Sequence, residues 1–177
     1  CLEIINLIFP QLKNISIFGR LNDFAKKNFS KVDFIFLLSL LVIDETDNVD
    51  YFIYKFNLSK KDTKRILFLN NFYSEKITSK TFLEKNLNKI FYFNGREALM
   101  DVIFFRIFKS KKVDNELLRL IETFSEKKIP VMPFNANMLI EKFRFQEGKE
   151  LGKKFKIIEE VWVNNNFNIS EKEIKKI

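Results

Sequence analysis

Histidine is absent from the 177 residues, cysteine occurs once, at position 1, and glycine and proline number only four and three. Without His and with a single Cys, no metal site, triad or dyad built on those residues can be assembled, and no disulfide can close within the chain. A reducing compartment, the cytoplasm, is therefore expected. So few Gly and Pro leave little material for tight turns, which supplies a β-sandwich or barrel poorly and an all-helical chain well. The longest apolar run, Phe34 to Ile43, reaches about half of the ~20 residues that a membrane span needs. No basic-plus-apolar signal segment opens the chain, so no membrane insertion is expected.

What is present is a core and a charge. The 46% hydrophobic content fills one ordinary domain or two very small ones. Thirty-one basic against twenty-three acidic residues give a net charge of +8, which raises an anionic partner such as nucleic acid. Twenty-two Phe with abundant Lys, Ile and Asn is also the mixture that an AT-rich genome imposes. Such drift spreads its excess evenly, whereas a binding surface concentrates it. Residues 1–50 carry 5 basic and 7 acidic side chains, residues 51–112 carry 14 and 5, and residues 113–177 carry 12 and 11. The excess lies in the middle third. The first residue is Cys rather than Met, which leads to the expectation that the chain is part of something longer.

In that middle third, Ser59 followed by Asp62 marks an N-cap, and the spacing predicts a helix over Lys60–Tyr73. Ile66, Leu69, Phe72 and Tyr73 share one side of it, and Lys60, Thr63, Lys64, Asn70 and Asn71 the other. A second helix is expected over Lys80–Phe93, with Ser79 as its cap and Gly95 just beyond its end. Its Lys85 and Lys89, four apart, face away from Leu83, Leu87, Ile90 and Phe91. A third, over Arg96–Lys109, is apolar nearly all round and so belongs to the interior. Two helices thus offer basic faces flanked by Asn and Thr that can donate to phosphate oxygens.

Elsewhere, Leu2 to Ile8 reads as the end of a helix stopped at Phe9-Pro10. Leu12–Lys27, Val32–Ile43 and a short element over Val49–Asn57 are further helical candidates. The acids Asp44, Glu45, Asp47 and Asp50 lack the Gly and alternation of a calcium loop and read as a solvated turn. Asp114 caps a helix through Phe124, and Pro130 and Pro133 then force an extended crossing. This is the clearest boundary, dividing a helical body, residues 1–128, from a helical tail, residues 129–177. In the tail, Leu151, Phe155, Ile158 and Trp162 form a helix seam, with Lys149, Lys153 and Lys156 well round from it. Gly148 and Gly152, one turn apart, each cost roughly 1 kcal/mol of helix propensity against Ala. That cost points to close approach by another backbone, by packing or by a ligand phosphate. Asn164-Asn165-Asn166 ends the helix, Phe167 and Ile169 turn back toward it, and Ser170 with Glu173 forms a capping box for a last short helix.

The closing stretch, at Gly148, Glu150, Gly152, Glu159, Trp162 and Phe167 after the Pro130-to-Pro133 crossing, resembles the C-terminal signature of bacterial class II tRNA nucleotidyltransferases, the CCA-adding enzymes and related poly(A) polymerases. Upstream, Leu58-Ser59 through Arg65 resembles that family's L-S-x-x-x-x-x-R element, Gly95 to Arg106 the helix after it, and Leu2 to Leu12 the segment just after its neck. The likeness extends over nearly the whole chain, with the last quarter diagnostic. Departures are Ala136, Met138 and Lys149, where the family carries a Gly, an acid and a Pro, and a loop from Leu139 to Glu147 one residue longer.

The resemblance implies an all-α array of about eight to nine short helices that grips the acceptor arm and elbow of tRNA. It places nucleotidyl transfer, with magnesium and CTP or ATP, in an N-terminal head bearing Gly-Gly and D-x-D motifs. Neither motif occurs in this chain, so no catalytic residue is assigned to it. The candidate RNA-binding residues are Lys60, Lys64, Lys85, Lys89, Lys149, Lys153 and Lys156. The alternative reading is a helical protein-interaction module whose basic face is incidental; a self-sufficient nuclease has neither His nor paired acids at metal-ligand spacing to draw on.

Overall fold

Fifteen residues, Gly95–Lys109, form the helix around which the body is built. The computed structural model describes the backbone of residues 7–74 and 80–177 and the side chains of 7–73 and 86–177, and among these no strand occurs. The helices are α1 (Asp23–Asn28), α2 (Phe34–Val42), α3 (Asn48–Phe56), α4 (Lys60–Ser74), α5 (Lys80–Phe93), α6 (Gly95–Lys109), α7 (Asn115–Glu126), α8 (Ala136–Phe143), α9 (Lys149–Asn164) and α10 (Glu171–Ile174), with 3-10 segments at Lys13–Arg20 and Phe29–Lys31. The array is all-α, with somewhat more and shorter pieces than expected. None of the described helices is long and apolar enough to cross a membrane.

Helix α6 buries Leu99, Val102, Ile103, Phe105, Ile107 and Phe108, and packs against α1, α2, α4, α5 and α7. Each such side chain contributes about 1.5–3 kcal/mol by leaving water. Phe36 of α2 meets Phe108 edge-on at 5.3 Å, and Phe91 of α5 meets Phe124 of α7 at 5.0 Å. Ile66 and Leu69 of α4 are fully buried in the same core, as the helical spacing predicts. Gly95 joins α5 to α6 at φ +87°, a left-handed value that a side chain would strain.

Three local readings are corrected. The stretch Leu12–Lys27 is not one helix: it breaks at Leu21-Asn22 between the 3-10 segment and α1. Asn22 is the cause. Its side-chain oxygen accepts the Ala25 N–H at 2.9 Å, capping α1, while its amide donates to the carbonyls of Ile107 (2.7 Å) and Ser110 (2.9 Å) at the end of α6. The stretch Leu139–Glu147 is not a loop: α8 occupies Ala136–Phe143, started by Asn135 accepting from the Met138 N–H. Only the segment after Arg144, itself at φ 59°, is irregular. Gly148 precedes α9 at φ +128° rather than lying inside it, and a Cβ on Gly152 would meet nothing within 4 Å. No backbone approaches either glycine.

Residues 127–135 are irregular and separate two core clusters, one reaching from Leu12 to Phe124 and a smaller one of Leu139, Phe143, Leu151, Ile158 and Ile174. The capping box of Ser170 and Glu173 closes in both directions. The tail does not stand apart. Trp162 of α9 packs against Tyr92 of α5 at 5.3 Å and Phe167 at 5.0 Å, and the Tyr92 hydroxyl donates to Glu159 at 2.8 Å. Desolvation, then that carboxylate, pushes the Tyr92 phenol up to about 12. Asn88 donates to the Asn166 side chain at 2.7 Å, fastening the chain reversal to α5.

Candidate nucleic-acid interface

The lysines singled out by spacing fall on three helices. Lys60 and Lys64, one turn apart on α4, and Lys89 on α5 are exposed and take part in no ion pair among the described residues. The side chain of Lys85 lies outside the described residues. Lys149, Lys153 and Lys156 on α9 are exposed as well, but Lys153 pairs with Glu150 at 2.7 Å, so its charge is matched locally. Of the neighbours expected to help them, Asn71 is exposed while Thr63 and Asn70 are half-buried.

The arrangement that spacing could not foresee is a groove of about 610 Å³ between α4, α6 and the connection from Phe29 to Asp33. Lys64 lines it together with Lys31, Lys61 and Arg96, none of them in the expected set. At its centre Arg65 grips Asp101 of α6 with two hydrogen bonds, Nη2 to Oδ1 at 2.7 Å and Nε to Oδ2, and reaches Asp33 with Nη1. Asp33 in turn accepts the Phe36 N–H at 2.9 Å and caps α2. One guanidinium therefore ties three elements together.

Those contacts settle which charges remain for a ligand. Burial pushes the Asp101 carboxyl up while Arg65 pulls it down. At Asp33 the cost of desolvation is outweighed by Arg65 and the Phe36 N–H, which hold its carboxyl below the usual range. The hydrogen bonds that Arg65 donates to Asp101 and to Asp33 raise it further above its already high value, against its own desolvation, so it stays charged. With Asp33 and Asp101 satisfied in this way, Lys31, Lys61, Lys64 and Arg96 surround a groove whose one other acid is Glu97. Arg96 also donates to the Lys127 carbonyl at 2.8 Å, which fixes its place at the start of α6. The signal for Arg65 was Asp101, an acid set between the apolar pairs Leu99-Met100 and Val102-Ile103 and itself buried: a carboxylate there needs a cation opposite.

The acidic turn holds itself together. Asp44 accepts from the Thr46 backbone and from the Asn48 amide at 2.9 Å. Lys109 is a half-buried cation of this region; its ammonium donates to the Ile43 carbonyl and lies over the rings of Tyr73 (4.6 Å) and Phe105 (5.0 Å). Among the described residues, no three of His, Cys, Asp and Glu stand where they could hold a metal ion. No family model, curated protein or solved structure matches this chain.

Proposed function

We propose that this chain is an RNA-binding helical module, the C-terminal body and tail of a tRNA nucleotidyltransferase of the CCA-adding or poly(A)-polymerase kind. It contributes affinity and orientation toward the acceptor arm and elbow of tRNA, while a separate head with magnesium and CTP or ATP carries the chemistry. The observation that carries this reading is the convergence of Lys31, Lys61, Lys64 and Arg96 on one groove, beside the exposed Lys60. Folded RNA is gripped through shape and phosphates rather than base edges, and free cations beside a helix surface supply that grip.

Filter retention of tRNA at rising salt tests it. With roughly four phosphates neutralised, affinity falls about a hundredfold between 50 and 200 mM salt. Replacing Lys60, Lys64, Lys85 and Lys89 by Glu abolishes retention. No retention at low salt, or retention indifferent to the four replacements, overturns the reading.

One observation favours the second reading, a protein-interaction module. Tyr51, Tyr54 and Phe56 of α3 are exposed, Tyr54 by 89%, and Tyr51 and Phe56 both pack on Phe52. Exposed apolar surface of this kind marks contact sites between proteins. Retention of tRNA that survives Tyr54→Ser and is lost with the lysines separates the two.

A further inference from the structure

The groove has two chemistries, and a ligand has to satisfy both. Phe68 of α4 and Phe104 and Met100 of α6 offer it aromatic and apolar surface, and Lys31, Lys61 and Lys64 offer it positive charge. A wholly apolar ligand would leave three ammonium groups unused, and a bare phosphate would leave the rings bare. Its volume of about 610 Å³ lies within the range of pockets that enclose small ligands. A recess of that size takes a single base with its sugar and phosphate; the paired backbone of an A-form helix, whose bases are turned inward, cannot enter it. The Asn94 amide and the Glu97 carboxylate supply a donor and acceptors for a base edge. We infer that this groove takes one unpaired nucleotide of a bound RNA, its base stacked on Phe68 or Phe104 and its phosphate among Lys31, Lys61 and Lys64. The inference rests on the RNA reading for the source of the nucleotide; base-on-aromatic stacking is tolerant of sequence, so any of the four bases is accepted.

The three methionines provide the assay, because Met100 lines the groove while Met132 and Met138 both lie in the tail. Protein labelled with carbon-13 at the methionine methyl groups is titrated with the four nucleoside 5′-monophosphates, a single-stranded RNA tetranucleotide, a fully paired RNA duplex and inorganic phosphate. The expected result is a saturable shift of the Met100 methyl with each mononucleotide, saturation at a tenfold or lower concentration with the tetranucleotide, and still resonances for Met132 and Met138. Lys64→Gln, at an exposed position that leaves the fold intact, weakens both titrations about tenfold.

Four results overturn the inference. Inorganic phosphate moving Met100 as far as a nucleotide would leave only an anion site. Duplex acting as well as single strand would remove the need for an unpaired base. Mononucleotides binding where the tetranucleotide does not would make it a site for a free nucleotide. A silent Met100 in protein that retains tRNA on filters would overturn the groove and leave the RNA reading standing, whereas loss of tRNA retention itself strikes at that reading.

Discussion

Helix α6 sinks side chains on nearly every side into the body, whereas α9 buries a stripe and leaves Lys149, Lys153 and Lys156 in water. The body core draws on segments from Leu12 to Phe124; the tail cluster has five buried side chains of its own, and its largest aromatic, Trp162, is buried against Tyr92 of the body instead. Small assemblies bury too little surface to be stable alone. The tail is thus expected to depend on the body, and the body not to depend on the tail.

The sharpest way to break that asymmetry is Trp162→Ala. Trp162 is 3% exposed, and its loss is expected to cost about 3–5 kcal/mol. Amide exchange should speed up through α8 to α10 and stay slow in α6; equal loss in α6 would show one cooperative unit. Next comes Arg65→Ala, which strands Asp101 without its cation and costs about 3 kcal/mol. Here urea unfolding should lose body and tail together.

Lys109→Met is expected to act in the opposite direction and on the body alone. Burial pushes the Lys109 ammonium down to about 8, with Asp44 and Glu45 pulling upward. Its folded value lies below the usual 10.5, so between those two pH values the unfolded chain binds more protons and stability rises with pH. The substitution should stabilise by about 1 kcal/mol at pH 7, screening by solvent included. That gain should shrink as pH climbs through the window in urea titrations; a gain independent of pH would mean that the Ile43 carbonyl and the two rings keep the ammonium charged. The smallest effect is Gly152→Ala in the tail, where a Cβ meets open space. A gain of about 0.5–1 kcal/mol is expected from helix propensity, read as a higher melting temperature of the tail. A loss would point to a contact at that glycine.

Much of the framework was legible because it depends on neighbours in sequence. Ser59 and Asp62 start α4, Asp114 starts α7, and Ser170 with Glu173 starts α10, each through a side chain that reaches its own first turn. Asn22 and Asn135 use the same chemistry and escaped notice, the first because apolar residues continue through Leu21 and Phe24, the second because α8 follows directly on the Pro crossing. The groove was not legible at all. Its cations come from positions 31, 61, 64 and 96, and only the packing of α4, α6 and the Phe29-to-Asp33 connection brings them together. Lysine spacing along single helices found Lys64 there and missed Lys31, Lys61 and Arg96, since periodicity describes one helix and a groove needs several.

The docking of Trp162 on Tyr92 has an optical consequence. Tryptophan occurs once in this chain, and its indole sits at the joint between the two regions rather than in either core. Its emission therefore reports on closure of that joint: blue while the ring is covered, moving to the red when the tail lifts from α5. Far-ultraviolet circular dichroism, dominated by the helices of the body, reports on the rest. A red shift that precedes the loss of helical signal on warming would let an ordinary fluorimeter watch the tail leave while the body still holds its shape.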